Sequence, residues 1–206
     1  DQIQSGDIEK YSGPQQFFTF EADVKDEIGV ATAVAWTENG GEIMPVEVLV
    51  MEGKGNLQIT GKIGEVMQES AQAALSYVKS RAESFELDPE DFEKWDIHLH
   101  IPEGAIQKDG PSAGITICLA LISALTRRKV RMDVGMTGEL TLRGRVLQVG
   151  GLREKIYAAH RAGLKKIIIP KKNEKDLVEI PKKVRDEIKI QKVNTMEEVI
   201  RIALHP

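Results

Sequence analysis

Apolar and polar residues change rhythm several times along these 206 residues, and each rhythm predicts an element. IGVATAVAW (28–36) and EIMPVEVLVM (42–51) are β-rich runs joined by the turn cluster TENGG (37–41), so they read as a hairpin. A second turn cluster, EGKGN (52–56), leads into a short strand, LQIT (57–60). From 63 to 83 the apolar positions Ile63, Val66, Met67, Ala71, Ala74, Leu75 and Val78 recur at helical spacing. Asp88 followed by Pro89 predicts a capped helical turn over 87–95, and DIHLHIP (96–102) alternates as a strand. A loop then gives way to a nearly all-apolar run ending at 125, the pattern of a buried helix. Residues 134–151 read as short strands punctuated by glycine, and 152–163 as a helix closed by Gly163. A buried strand (165–170), a short helix, a strand (188–193) and a helix (195–204) complete the chain. The polar residues 1–15, broken by SGPQQ, read as a lead-in to one domain over 16–206. A strand-rich first half and an alternating second half predict an α+β fold in a single mixed domain.

Composition narrows the function classes. Hydrophobic residues make up 41% and charged residues 29%, an ordinary globular balance, with a formal net charge of −4. Nucleic-acid binding calls for clustered Lys and Arg, and the nearest candidate, TRRKVR (126–131), ends a helix, where basic residues suit the dipole. The single cysteine, Cys118, excludes a disulfide within the chain and suits a reducing compartment. The apolar run 113–125 is too short to span a bilayer, and the acidic start lacks the pattern of a signal peptide. The chain opens on Asp1 rather than methionine, as a fragment or processed product would.

Several candidate chemistries fail on spacing. GNLQITGKI (55–63) lacks the glycine spacing of a phosphate loop and has Ile63 where a magnesium-binding Ser or Thr belongs. His98 and His100 share one strand face, but no CxxC or HExxH accompanies them, so no metal site is expected. GPSAG (110–114) matches the G-x-S-x-G count, yet a long loop separates it from the preceding strand, and His98, His100 and His160 are equally arguable as triad partners.

The serine of KDGPSAG (108–114) has two readings. Ser112 follows Pro111, which suits the first turn of a helix. It contributes to a helix cap, or it is a nucleophile whose oxyanion is held by the unpaired N–H groups of that turn. A nucleophile needs a base. Lys155 lies near the start of the 152–163 helix among Leu152, Ile156 and Ala159, where burial and the helix dipole both disfavour its charge. The alternative is a solvated helix lysine. Thr137, near a strand end, orients that amine or is a β-favoured sheet residue.

Together the segments GKGNLQITGKIGEVMQESAQAA (53–74), KDGPSAG and TGELTLRGRVLQVGGLREK (137–155) resemble the proteolytic domain of Lon, the ATP-dependent protease, in its bacterial LonA-like form. The similarity extends from about 28 to 177. It implies a serine endopeptidase with a Ser–Lys dyad in a fold similar to ribosomal protein S5 domain 2, with Ser112 as nucleophile, Lys155 as base and Thr137 bonded to the lysine. Asp109, Gly110 and Pro111 match the active-site loop, which in the family switches between blocking and open forms. His98 and His100 match non-catalytic strand histidines. TAVAW (32–36) and Gln148 depart from the more usual TGLAW and proline. The resemblance also implies unfolded or damaged polypeptide substrates, a cytoplasmic homohexamer, and no cofactor in this chain, ATP and Mg belonging to an AAA+ module. A Ser–His hydrolase, and a non-enzymatic RNA-binding module suggested by the S5 likeness, stand as the competing readings.

Overall fold

The structure, a computed structural model, describes residues 25–37, 40–102 and 109–206. The expected 1–15 lead-in, the domain start at 16, the hairpin tip and most of the 102–110 loop lie outside the described residues.

The chain is α+β and builds a seven-stranded mixed sheet. A short strand, β1 (Glu27–Ile28), precedes the hairpin of β2 (Val30–Thr37) and β3 (Gly40–Glu52). β4 (Leu57–Thr60) matches the LQIT run, closed on both sides by turn residues. Helix α1 (Glu65–Ser80) and two 3₁₀ turns, the second capped by Asp88 with Pro89 inside it as expected, lead to β5 (Trp95–His100). A 3₁₀ turn at Pro111–Ala113 opens directly into α2 (Gly114–Thr126). Then come β6 (Lys129–Val130), β7 (Val134–Met136), β8 (Glu139–Leu140), β9 (Val146–Leu147) and α3 (Leu152–Arg161). The chain ends with β10 (Lys166–Pro170), a 3₁₀ segment, α4 (Lys182–Glu187), β11 (Lys189–Val193) and α5 (Met196–Ala203). Thr195 and Glu198 form a capping box at the start of α5.

Strand order is β11-β10-β7-β2-β3-β5-β4. β11, β10, β7 and β2 run parallel, while β2–β3 and β3–β5 are antiparallel. Parallel strands need helical crossovers, and these cover both faces of the sheet. The alternation of buried residues marks the two faces. Ala33, Met44 and Ile168 belong to a core with α1, α2 and α5, whereas their neighbours Val34, Ile43, Ile167 and Ile169 belong to a second core with α3. The near-continuous apolar run of β10 is therefore a strand buried on both sides.

Beyond β2 the chain turns to β3 on one side, and beyond β7 it crosses to β10 on the other. Adjacent parallel strands whose onward connections diverge leave a crevice at their carboxyl ends, the usual place for a ligand in such sheets. Residues of β2 face that crevice here.

Candidate active site

The crevice is a cavity of about 950 Å³. One side is β2 from Ala33 to Thr37; the other is the segment 148–151; between them lie Ser112 and Lys155. β7 pairs with β2 only at Thr32 and Ala33, so beyond Ala33 that edge of β2 has no strand partner among the described residues.

Ser112 sits in the 3₁₀ turn at the head of α2, half-buried. Its carbonyl anchors the turn to the end of β7, accepting from Gly138 N–H at 2.8 Å and from Thr137 Oγ1 at 3.4 Å. Ile115 N–H returns a bond to Gly138 O at 3.1 Å. The first-turn donors are thus partly spent: Gly114 N–H bonds Pro111 O and Ile115 N–H bonds Gly138 O.

Lys155 comes from the opposite layer of the molecule. It lies in the first turn of α3, 2% exposed, and its amine donates to Thr137 Oγ1 at 3.1 Å. Burial pushes its pKa down to about 8, because the ammonium loses water that nothing charged replaces. Helix α3 can lie this close because β3 carries glycine beneath it. A Cβ on Gly41 would stand 2.1 Å from Glu154 O.

Thr137, fully buried, links the two layers: its N–H donates to Ile168 O at 3.1 Å, and its hydroxyl accepts from Lys155 while donating to Ser112 O. Ser112, Lys155 and Thr137 are therefore brought together. Among the described residues Ser112 Oγ and Lys155 Nζ share the cavity without a hydrogen bond between them.

Asp109 also reaches the cavity, but its carboxylate is bonded to backbone donors rather than to Lys155. One oxygen accepts from Gly110 N–H at 2.8 Å and from Met67 N–H at 3.0 Å. That caps α1, whose own N-cap residue, Gly64, has no side chain to do so. Gly110 takes φ 120°, open to glycine, and lets the loop turn into Pro111.

Sequence reasoning missed two supports. Met67 serves as the capped donor for Asp109. Asn173, 2% exposed, accepts from Val149 N–H at 3.0 Å and donates to Val149 O at 2.8 Å, holding the 148–151 wall. An asparagine within KKNEKD carries no local mark of such a role.

The histidines lie elsewhere. His98 and His100 both meet Thr60 Oγ1, at 2.8 and 2.7 Å; His160 pairs with Glu187, and His205 with Asp26, each at 2.6 Å. None lines the cavity. Among the described residues no group of three or more His, Cys, Asp or Glu gathers as metal ligands would, and no helix is long and apolar enough to cross a membrane. Cys118 is buried in α2, and burial pushes its thiol pKa up.

A family model for the Lon protease (S16) C-terminal proteolytic domain matches residues 2–206. The chain belongs to that family. It is 58% identical over 98% of its length to a Lon protease of Chloroflexus aggregans, and 59% identical over 95% to Lon protease 1 of Myxococcus xanthus. A Lon protease of Dictyoglomus thermophilum is 59% identical over 96%. The chain spans about a quarter of the length of these Lon relatives: 24%, 24% and 25%.

Proposed function

We propose that this domain is a serine endopeptidase in which Ser112 is the nucleophile and Lys155 the general base. The observation that carries the reading is a buried lysine, its pKa lowered to about 8, opening onto the same cavity as Ser112 and held by Thr137 at 3.1 Å. At pH 7 roughly a tenth of such an amine is neutral, enough to accept a proton.

An extended peptide lies along the unpaired edge of β2 opposite the 148–151 wall, adding a strand, with main-chain bonds giving affinity. Neutral Lys155 takes the Ser112 proton as Oγ attacks the carbonyl. The oxyanion is held by backbone donors at the serine end of the 111–113 turn. Protonated Lys155 gives its proton to the leaving amine as the C–N bond breaks, leaving an acyl ester on Ser112. Water, deprotonated by Lys155, attacks the ester, and the proton returns to the serine oxygen. Thr137 keeps the amine aimed. Catalytic hydrogen bonds often tighten only with substrate in place, so the missing Ser112–Lys155 bond in the resting arrangement is compatible with these roles.

Unfolded or damaged polypeptides are the proposed substrates, delivered by an ATP- and Mg-using module outside these residues, within a cytoplasmic homohexamer. No step above uses a nucleotide.

The test is cleavage of an unfolded polypeptide together with labelling by a fluorophosphonate. Labelling is expected at Ser112, and Ser112→Ala and Lys155→Ala should each remove turnover. Lys155→Arg should not rescue, because guanidinium is no base near neutral pH. The wild-type rate should rise about tenfold per pH unit below about 8 and level off above it. Turnover retained in Lys155→Ala would remove the base assignment, and turnover retained in Ser112→Ala the nucleophile.

A further inference from the structure

Resting on the reading of Ser112 as nucleophile, we infer that Asn173 and Asp176 are positioning residues for the polypeptide, holding Val149 so that Gln148 O and Gly150 N–H form a second hydrogen-bonding edge opposite β2. Asn173 is 2% exposed and stands behind the wall, outside the cavity lining, while Gln148, Val149 and Gly150 line it. Its side-chain oxygen accepts from Val149 N–H at 3.0 Å, and its amide nitrogen donates to Val149 O at 2.8 Å. Two bonds to one residue are what a neighbouring strand would supply, and here one side chain takes the strand's place. The amide cannot turn over, because its nitrogen also donates to Asp176 Oδ2 at 2.6 Å. A flipped amide would set oxygen against both Val149 O and that carboxylate.

Peptide geometry carries the consequence to the cavity side. Among the described residues no peptide bond is cis, so each C=O points opposite to the N–H of the next residue. With Val149 N–H and C=O both turned back to Asn173, Gln148 O and Gly150 N–H are turned forward, to the cavity. Neither has a backbone partner among the described residues. They offer one acceptor and one donor to the main chain of an extended peptide, which is then bonded on both sides, by this edge and by β2. Bonds to main chain add affinity without selecting side chains, which suits an unfolded polypeptide of any sequence. The same anchor ties the wall to the lysine. Asn173 follows β10, and β10 holds Thr137 N–H through Ile168 O, so one strand fixes both the partner of the amine and the wall.

The experiment sets cleavage of a fluorogenic peptide long enough to cross the cavity beside labelling of Ser112 by a fluorophosphonate, which is too small to need the wall. Asn173→Ala and the isosteric Asn173→Asp should each raise the peptide KM about tenfold, the worth of two hydrogen bonds, with kcat and the labelling rate within about threefold of wild type. Asp176→Ala should raise KM about threefold, and add nothing to Asn173→Ala, because the carboxylate acts only through the amide. Peptides N-methylated at one position at a time locate the contact. One methyl should raise KM in wild type and add nothing in the Asn173 variants, whereas methyls facing β2 should cost both alike. KM, unlike total rate, is unmoved by a smaller folded fraction, and Asn173→Asp and Asp176→Ala carry the test if Asn173→Ala does not fold. An unchanged KM in these variants, or an N-methyl profile the same in wild type and the Asn173 variants, overturns the positioning role while leaving the serine mechanism standing. A labelling rate that falls as far as peptide turnover also overturns it, because the loss then lies at Ser112 and Lys155. Equal cleavage by wild type and Ser112→Ala overturns the mechanism, and this inference with it.

Discussion

With its pKa held to about 8 against 10.5 for an ordinary lysine, Lys155 is the ionisation the fold must bear. Between those two values the unfolded chain binds a proton that the folded chain has released, so stability rises with pH from about 8 to 10.5. Below 8 both states carry the charge and the folded state bears the full penalty, on the order of 3 kcal/mol from a shift of that size. Replacing the amine by an apolar group of similar length removes it. Lys155→Met should therefore be the more stable protein at pH 7, by about 1–3 kcal/mol, with Thr137 Oγ1 still able to donate to Ser112 O. The gain should shrink as the pH approaches 10.5. Urea midpoints at pH 7 and pH 10 check both the sign and the trend. A loss of stability at pH 7 would mean that the amine is better solvated than its burial indicates. A residue that destabilises its own fold is the pattern of a group kept for chemistry rather than for packing.

At the scale of elements, the position of Lys155 depends on how closely α3 approaches the sheet. A methyl on Gly41 would meet the Glu154 backbone at 2.1 Å, and backbone cannot rotate aside. Gly41→Ala should push the first turn of α3 outward, cost about 2–4 kcal/mol as overpacked sites do, and lower turnover more than binding. Denaturant unfolding and a KM-against-kcat comparison read the two effects. This contact also shows what the sequence could and could not reveal. Strand β4, the capped turn at Asp88 and the apolar helix α2 were legible because their signals are local: turn residues, a cap and a run of apolar side chains. Ser112 and Lys155 were legible as candidates through the motifs around them. Their placement in opposite layers was not, because it follows from which face each helix covers, a property of the crossovers rather than of either helix. The caps were half visible: Thr195 with Glu198 lies within one turn, whereas Asp109 caps a helix 42 residues away and leaves no trace in the local pattern.

The whole molecule makes the site depend on both cores at once. Ser112 is carried by the layer of α1 and α2, Lys155 by the layer of α3, and the shared sheet joins them at Thr137. Along β2 and β3 alternate side chains enter alternate cores, so neither core can be lost while the strands keep their partners. The chain should then unfold in one cooperative transition despite its two separate clusters. Its two tryptophans report on the two sides. Trp95 packs on the larger core and makes an edge contact with Phe92, while Trp36 lines the cavity against Gly151, at the start of α3. Single-tryptophan variants, Trp36→Phe and Trp95→Phe, should give fluorescence melts that coincide with each other and with circular dichroism. Ile156→Ala in one core and Ile117→Ala in the other each delete a fully buried side chain and should each cost about 2–5 kcal/mol. Each should shift both fluorescence transitions together. If Ile156→Ala moved only the Trp36 signal, the α3 layer would be unfolding on its own, and Lys155 would be held by a locally stable unit rather than by the sheet it shares with Ser112.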